Sequence, residues 1–557
     1  MGRMQRTLTS AIYISSLLAA VVLWPIPLLA TTYSVKSGGG GNYSTIQQCA
    51  TAMTPGDTCM VFAGTYNENV TVTAGTAGNY KTLTVNPGDT VYVLSFSIDS
   101  YTKVNGFQIQ NTSSPTSHAC VKTTTTATNF YITNNHMTAC AGNGGAIDEQ
   151  SPTGRTDYGS IQGNTLVWCG TTPALHSISR SMTISGDHHL IENNDISHCA
   201  SSFLFGHYIV FRKNTYHDTN QAFDCGSSCP GSSNGHMDMM QVDPNVAGGS
   251  VPSQFIMGEG NTQINQVGTD IKFALMQAEA CNNQCQNAIL RYNVNAHTGS
   301  GGIVDDNSFT TTTQAWINVV SYNNDWIDTN NIGYGLGSAT NNFSHGSFGW
   351  SQINELFYYP FSLSQFNPYQ CGDTACSPAY YGHNLAFCTI TPCQIYSHLY
   401  GSGNFTDDPG NIVADPLFVN YAANDFHLRA GSPALNGGTN LTSANGSGTN
   451  STTLVVNNAN FFQDGWTVPG VQPDCLRIGA STTVCIAAGG INYSTKVITL
   501  ASPVSWNASD PIYIYRISDG TTVLTGTKPD LGAFPSACGS TSSGSPAPPS
   551  CLAATIQ

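Results

Sequence analysis

A short unit recurs along this chain and restricts its fold more than any other feature: an apolar, β-rich stretch, then Asn, then any residue, then usually an apolar one. It reads Val104-Asn105-Gly106-Phe107, Asn135-His136-Met137, Asn164-Thr165-Leu166, Asn194-Asp195-Ile196, Asn214-Thr215-Tyr216 and Asn324-Asp325-Trp326, with weaker copies at Asn261 and Asn293. The steps between these asparagines are 30, 29, 30, 20, 47, 32 and 31 residues. A fixed unit at variable spacing marks a solenoid whose loops differ in length. The strands are short and β-branched, as in Tyr208-Ile209-Val210-Phe211 and Ala288-Ile289-Leu290, and helical periodicity is nearly absent. One strand per coil would stack on the same strand of the next, roughly 4.8 Å away. An inward Asn at a fixed corner would then hydrogen-bond its neighbours above and below and satisfy the buried backbone at the bend.

Arg3 and Arg6 precede an uncharged apolar run, Leu8 to Leu29, that ends in Leu28-Leu29-Ala30 before the polar Thr31-Thr32. That pattern predicts a secretory signal peptide over 1–30, hence an extracellular protein with no stable membrane span after cleavage. Eighteen cysteines in an exported chain read as disulfides. Close pairs are Cys225/Cys229, Cys281/Cys285, Cys371/Cys376, Cys388/Cys393 and Cys475/Cys485; Cys120 and Cys140 would bridge successive coils. Only 9% of residues are charged and the net charge is −15, which argues against nucleic acid, a partner that demands dense cationic contacts.

Further motifs carry a resemblance. Tyr43-Ser44-Thr45-Ile46-Gln47-Gln48-Cys49, Pro55-Gly56-Asp57-Thr58 and Gly64-Thr65-Tyr66 resemble the opening of the pectate-lyase-like right-handed parallel β-helix superfamily, where a short helix caps the first coil. Ala414-Asp415-Pro416-Leu417-Phe418-Val419, Asp425-Phe426-His427-Leu428 and Gly431-Ser432-Pro433-Ala434 resemble its closing coil, and Asp530-Leu531-Gly532-Ala533-Phe534 its terminal strand. The resemblance implies an all-β solenoid over 31–440, closed by a strand at 526–536, and says little about activity. Between the closing pieces, 441–525 contains Leu454-Val455-Val456, Lys496-Val497-Ile498-Thr499-Leu500 and Ile512-Tyr513-Ile514-Tyr515, read as strands of a small inserted β module. Residues 537–557 are Ser/Gly/Pro-rich, a linker composition.

Candidate chemistry lies on two segments that align at an offset of 36: His236, Asp238, Gln241 and Asp243 over Lys272, Gln277 and Glu279. The next coil carries Asp305-Asp306 in the same place, and Ile178-Ser179-Arg180 lies two coils before Gln241. In a chain this poor in charge the concentration points to a site. Gln241 and Gln277 could equally form an internal amide ladder, and Asp243 and Glu279 could be solvated loop residues.

Three functions fit. A polysaccharide lyase acting by β-elimination at a uronic acid needs a C5 base and a cation that neutralises the adjacent carboxylate. Lys272 is the candidate base, with His236, Asp238 and Asp305 beside it, Arg291 as carboxylate clamp, and Gln241, Gln277 and Asp306 for substrate binding. Asp243 and Glu279 would suit Ca²⁺; no organic cofactor is expected. An inverting glycoside hydrolase would use paired carboxylates, Asp238 with Asp305 or Asp243 with Glu279. A glycan-binding surface protein would use aromatic faces, for which Trp326, Tyr334, Trp350, Tyr358 and Tyr359 are available. Each reading has a polysaccharide as partner and a monomer as the working unit.

Overall fold

The computed structural model describes residues 30–536, except 111–118, 141–144, 150–154, 171–178, 226–236, 244, 247–248, 251, 269–270, 278–280, 282–283, 300, 307–315, 330–338, 344–349, 360–364, 372–379, 390–393 and 396–402. Residues 225, 245–246, 249–250, 304–306, 339–343, 365–371 and 394 are described by backbone alone.

Short parallel strands pair coil on coil throughout, giving the right-handed parallel β-helix. Each coil contributes to three sheets. The first runs through Val121–Thr123, Ile147–Glu149, Arg180–Asp187, the start of Ala200–Arg212, Met240–Val242 and Ala274–Gln277. The second runs through Ser160–Gln162, Leu190–Glu192, Gln254–Glu259, Gln286–Arg291 and Ile317–Tyr322. The third runs through His136–Thr138, Thr165–Val167, Asp195–Ser197, Thr215–His217 and Thr262–Gln266. The corners are single left-handed residues, among them Tyr158, His188 and Tyr208 between the first and second sheets. Where the first sheet bends toward that corner only glycine fits: a Cβ on Gly186 (φ +148) would lie 1.5 Å from the Thr156 carbonyl oxygen.

The asparagines form the expected spine at the corner between the second and third sheets. Asn135 donates its backbone N–H to Asn164 Oδ1 (3.0 Å) and its side-chain amide to the same oxygen (3.1 Å) and to the Val104 carbonyl (3.1 Å). Asn164, Asn194, Asn214, Asn261 and Asn293 repeat the pattern toward Asn324. Asn105 is not part of it: Phe107 holds the ladder position in that coil, and Asn105 bonds the Thr84 and Thr133 hydroxyls from within a strand. Past Asn324 the spine continues through Glu355, Asn384 and Asn411.

A helix, Ile46–Ala52, caps the first coil; Thr45 accepts from the Gln48 N–H, and Glu68 accepts from the Ile46 and Gln47 N–H groups. Disulfides join Cys49–Cys59, Cys120–Cys140, Cys169–Cys199, Cys281–Cys285 and Cys475–Cys485. Cys388 is also disulfide-bonded; Cys229, Cys376 and Cys393 lie outside the described residues. Residues 1–29, which hold most of the expected signal peptide, also lie outside them. Among the described residues no helix is long and apolar enough to cross a membrane.

The 441–525 module is one antiparallel six-stranded sheet, with a register shift between Ile486 and Ile491. Its apolar face, including Phe461, Phe462 and Trp466, packs on Leu190, Val210, Met257, Ile289 and Val320 of the second sheet. Residues 526–536 form no ladder strand, unlike the expectation. Leu531, Ala533 and Phe534 are buried with Leu356 and Leu385, while Asn323 donates to the Asp530 and Gly532 carbonyls.

Candidate functional site

The expected column forms with a different register. Met240 pairs with Ala274 and Gln241 with Leu275, an offset of 34 rather than 36. A two-residue slip keeps each side chain on its face but changes its neighbour. Lys272 therefore meets Asp238: its backbone N–H donates to Asp238 Oδ1 at 2.9 Å, and its Nζ lies 4.0 Å from the same oxygen. Lys272 is 4% exposed and Asp238 0%. The base expected on the outer face is thus half of a buried ion pair, because Met237, Met239 and Met240 carry this segment into the core. Gln241 Nε2 donates to Gln277 Oε1 at 2.8 Å, reaching diagonally across the pair. Asp305 and Asp306 stand in register with Met276 and Gln277; His236 and Glu279 lie outside the described residues.

Arg291 is placed far from this column. Its guanidinium is wholly buried under the module, donating to both oxygens of Asp474 (2.7 Å each), to Glu259 (2.7 Å) and to the Tyr322 hydroxyl (2.8 Å). These acids hold its pKa well above the ordinary value despite burial. The expected substrate clamp is therefore the polar anchor of the module. The expected aromatic faces are also mostly internal: Trp326, Trp350 and Tyr359 are buried, Tyr358 packs on Phe387 and Phe418, and Tyr334 lies outside the described residues.

Accessible charge lies lower on the same first sheet. Strand alternation sends Val121 and Ile147 into the core and leaves Lys122 and Asp148, paired in register, half-buried on the outer face. The column continues through Thr183 and Phe203 to Gln241. Arg180, on the coil after Asp148, lays its guanidinium over the Phe203 ring, 3.6 Å from the centroid. Burial pushes the Asp148 carboxyl up, and Lys122 and Arg180 oppose that rise. Burial draws Arg180 down, while Asp243 and Asp148 pull it back. One face thus carries two cations around a desolvated acid, with Asp243 and the Gln241–Gln277 amides beyond. Lys122 and Asp148 escaped the sequence reading; apolar-charged-polar triplets at Val121-Lys122-Thr123 and Ile147-Asp148-Glu149 were the available signal.

No family model matches the sequence, and no curated protein does. Solved structures similar to the chain include a GH136 lacto-N-biosidase from Eubacterium ramulus, with 8% identity over 69% of this chain and 68% of that one (TM-score 0.40). They also include the pectate lyase Pel9A, at 12% identity over 74% and 92% (TM-score 0.36). A third is the PL6 family alginate lyase AlyGC, at 13% identity over 69% and 54% (TM-score 0.40).

Proposed function

We propose that the protein is an extracellular polysaccharide lyase that cleaves at a uronic acid residue, with its site on the outer face of the first sheet around Lys122, Asp148 and Arg180. The carrying observation is the pairing of two cations with a desolvated acid on successive coils. β-Elimination requires that a carboxylate beside the reacting carbon be neutralised as charge develops. Arg180 is suited to this, because a guanidinium fork matches a carboxylate and its plane is already fixed over Phe203. Lys122, one coil before Asp148, is the candidate C5 base. Half-buried Gln277 extends the face with a hydrogen-bonding group for a neighbouring sugar unit, and Gln241, 3% exposed, orients it. The disulfides support an oxidising, extracellular setting.

The spacing counts against Asp148 and Asp243 as the acid–base pair of an inverting hydrolase. Asp148 and Asp243 are separated by three coil steps, roughly 14 Å at about 4.8 Å each, whereas an inverting pair stands about 6.5–9.5 Å apart. The test is incubation with polyuronates, scored for an unsaturated product absorbing in the near ultraviolet. Wild type should make it, and Arg180→Lys and Lys122→Met should each lose about 10²-fold or more. Reducing ends without absorbing product would replace this reading by hydrolysis, and neither product would leave a glycan binder.

A further inference from the structure

The inserted module does more than cover the second sheet. Its hairpin Thr482–Asn492 and Val497–Trp506 borders a cleft of about 600 Å³ against the coils. The coil side is the corner that carries stacked rings in earlier coils. Tyr158, His188, Tyr208 and Phe255 stack at 4.7, 4.8 and 4.8 Å. At Phe255 the rings stop. The next two coils place Asn287 (φ 62) and Asn318 (φ 58) at the same corner, and Asn318 Nδ2 donates to Asn287 Oδ1 at 3.3 Å. Phe255 and Gln286 complete this wall; Asn492 lines the cleft from the module, and the Tyr493 ring meets Phe255, centroids 5.3 Å apart, where module and coils join. Tyr493 spends its hydroxyl on the Trp466 indole N–H and the Phe462 carbonyl, and the part of its ring not packed on Phe255 lines the cleft.

Among the described residues that line the cleft none is charged. Amides that both donate and accept suit vicinal hydroxyls, and a ring face suits the C–H face of a pyranose. The two asparagines are one coil step apart, roughly 4.8 Å; half-buried Asn318 presents its amide to a sugar hydroxyl, and Asn287, 6% exposed, orients that amide. A uronate would meet no counter-charge here, nor would an acidic or basic peptide.

From this geometry we infer that the module–coil cleft is a binding subsite for an uncharged sugar unit of a glycan. It is separate from the Lys122–Arg180 face and shares with the lyase reading only the ligand class. The test is affinity electrophoresis of the full mature protein through gels containing hydroxyethylcellulose, arabinoxylan, galactomannan or laminarin. At least one of these neutral glycans should retard the wild type. Retardation should weaken about tenfold in Asn287→Gly/Asn318→Gly, a pair of substitutions that keeps the left-handed backbone permissible. Should that variant fold poorly, Ser494→Trp, at an exposed position on the hairpin, should fill the cleft and give the same loss. No retardation by any of the four, or full retardation in a folded cleft variant, overturns the inference. Arg180→Lys should leave retardation intact while affecting turnover, so failure of one reading is distinguishable from failure of the other.

Discussion

Glu355 is the one carboxyl in a spine otherwise built of amides, and replacing it should change how stability depends on pH. It is fully buried and accepts from Ser321 Oγ (2.5 Å), Asn324 Nδ2 (3.0 Å), the Asn324 N–H (3.1 Å) and Trp326 Nε1 (2.8 Å). Burial pushes its pKa up from 4.5 to about 7, although these hydrogen bonds hold it down. Below 4.5 the folded and unfolded chains are both protonated at this group, and it carries no penalty. Between 4.5 and about 7 the unfolded chain loses the proton while the folded one keeps it, so stability falls as pH rises. At about 1.36 kcal/mol per pH unit the loss reaches roughly 3 kcal/mol and stays constant above about 7. Glu355→Gln keeps most of these bonds: its oxygen can accept from Trp326 and the Asn324 N–H, its amide can donate to Ser321 Oγ, and Asn324 Nδ2, which loses its acceptor on residue 355, still donates to the Leu290 carbonyl and Ser321 Oγ. Thermal midpoints of wild type and variant, measured by calorimetry from pH 4 to 9, should nearly coincide at pH 4 and separate up to about pH 7, with the variant higher. Asp325, next in sequence, is also pushed well up by burial, with Glu355 adding to the rise; taking the difference between the two proteins removes most of its share. A difference independent of pH, or a variant less stable at pH 8, would refute the reasoning.

Other outcomes follow from the same structure. Arg291→Ala should cost about 3–5 kcal/mol, because it strands Glu259 and Asp474 as buried charges, and limited proteolysis should then release fragments of the 441–525 module. His217, held between Asp195 Oδ1 (2.8 Å) and Asp218 Oδ2 (2.9 Å), has its pKa raised to about 9, first by the Asp195 hydrogen bond. NMR titration should find it protonated at pH 8, and its contribution to stability should be present below 6.5 and lost as pH passes about 9. Asp243 with Glu279 is proposed as a Ca²⁺ site, so chelation should lower both turnover and melting temperature; unchanged values would leave Arg180 as the neutralising group.

The sequence carried the fold because the spine depends on one residue type at one place. An Asn that must bond coils above and below leaves a mark that loops of any length cannot erase. The mark is imperfect: Asn105 fits the local pattern from within a strand, and Glu355 hides behind Asn354, which stands one position early. Lys122 and Asp148 were harder to find, since the first sheet follows long loops that hide its register from the asparagines. The 36-residue alignment of Gln241 with Gln277 identified a real contact but missed the backbone pairing by two residues, which put Lys272 beside the wrong partner. The role of Arg291 lay 183 residues away in Asp474, beyond any local signal.

The amide spine also determines where this molecule is free to vary. Its hydrogen bonds hold successive coils at one rotation about the long axis, whether the chain travels 20 residues between asparagines, as from Asn194 to Asn214, or 47, as from Asn214 to Asn261. Most of that extra length enters after the third sheet, on the approach to the outer face that carries Arg180 and Gln241, and the rest between the first and second sheets, on the way out of it. Loops beside that face can therefore be lengthened, exchanged or deleted without turning one coil against the next. The corner that keeps the coils aligned lies apart from the face where ligands would be met, so a change of specificity need not disturb the framework.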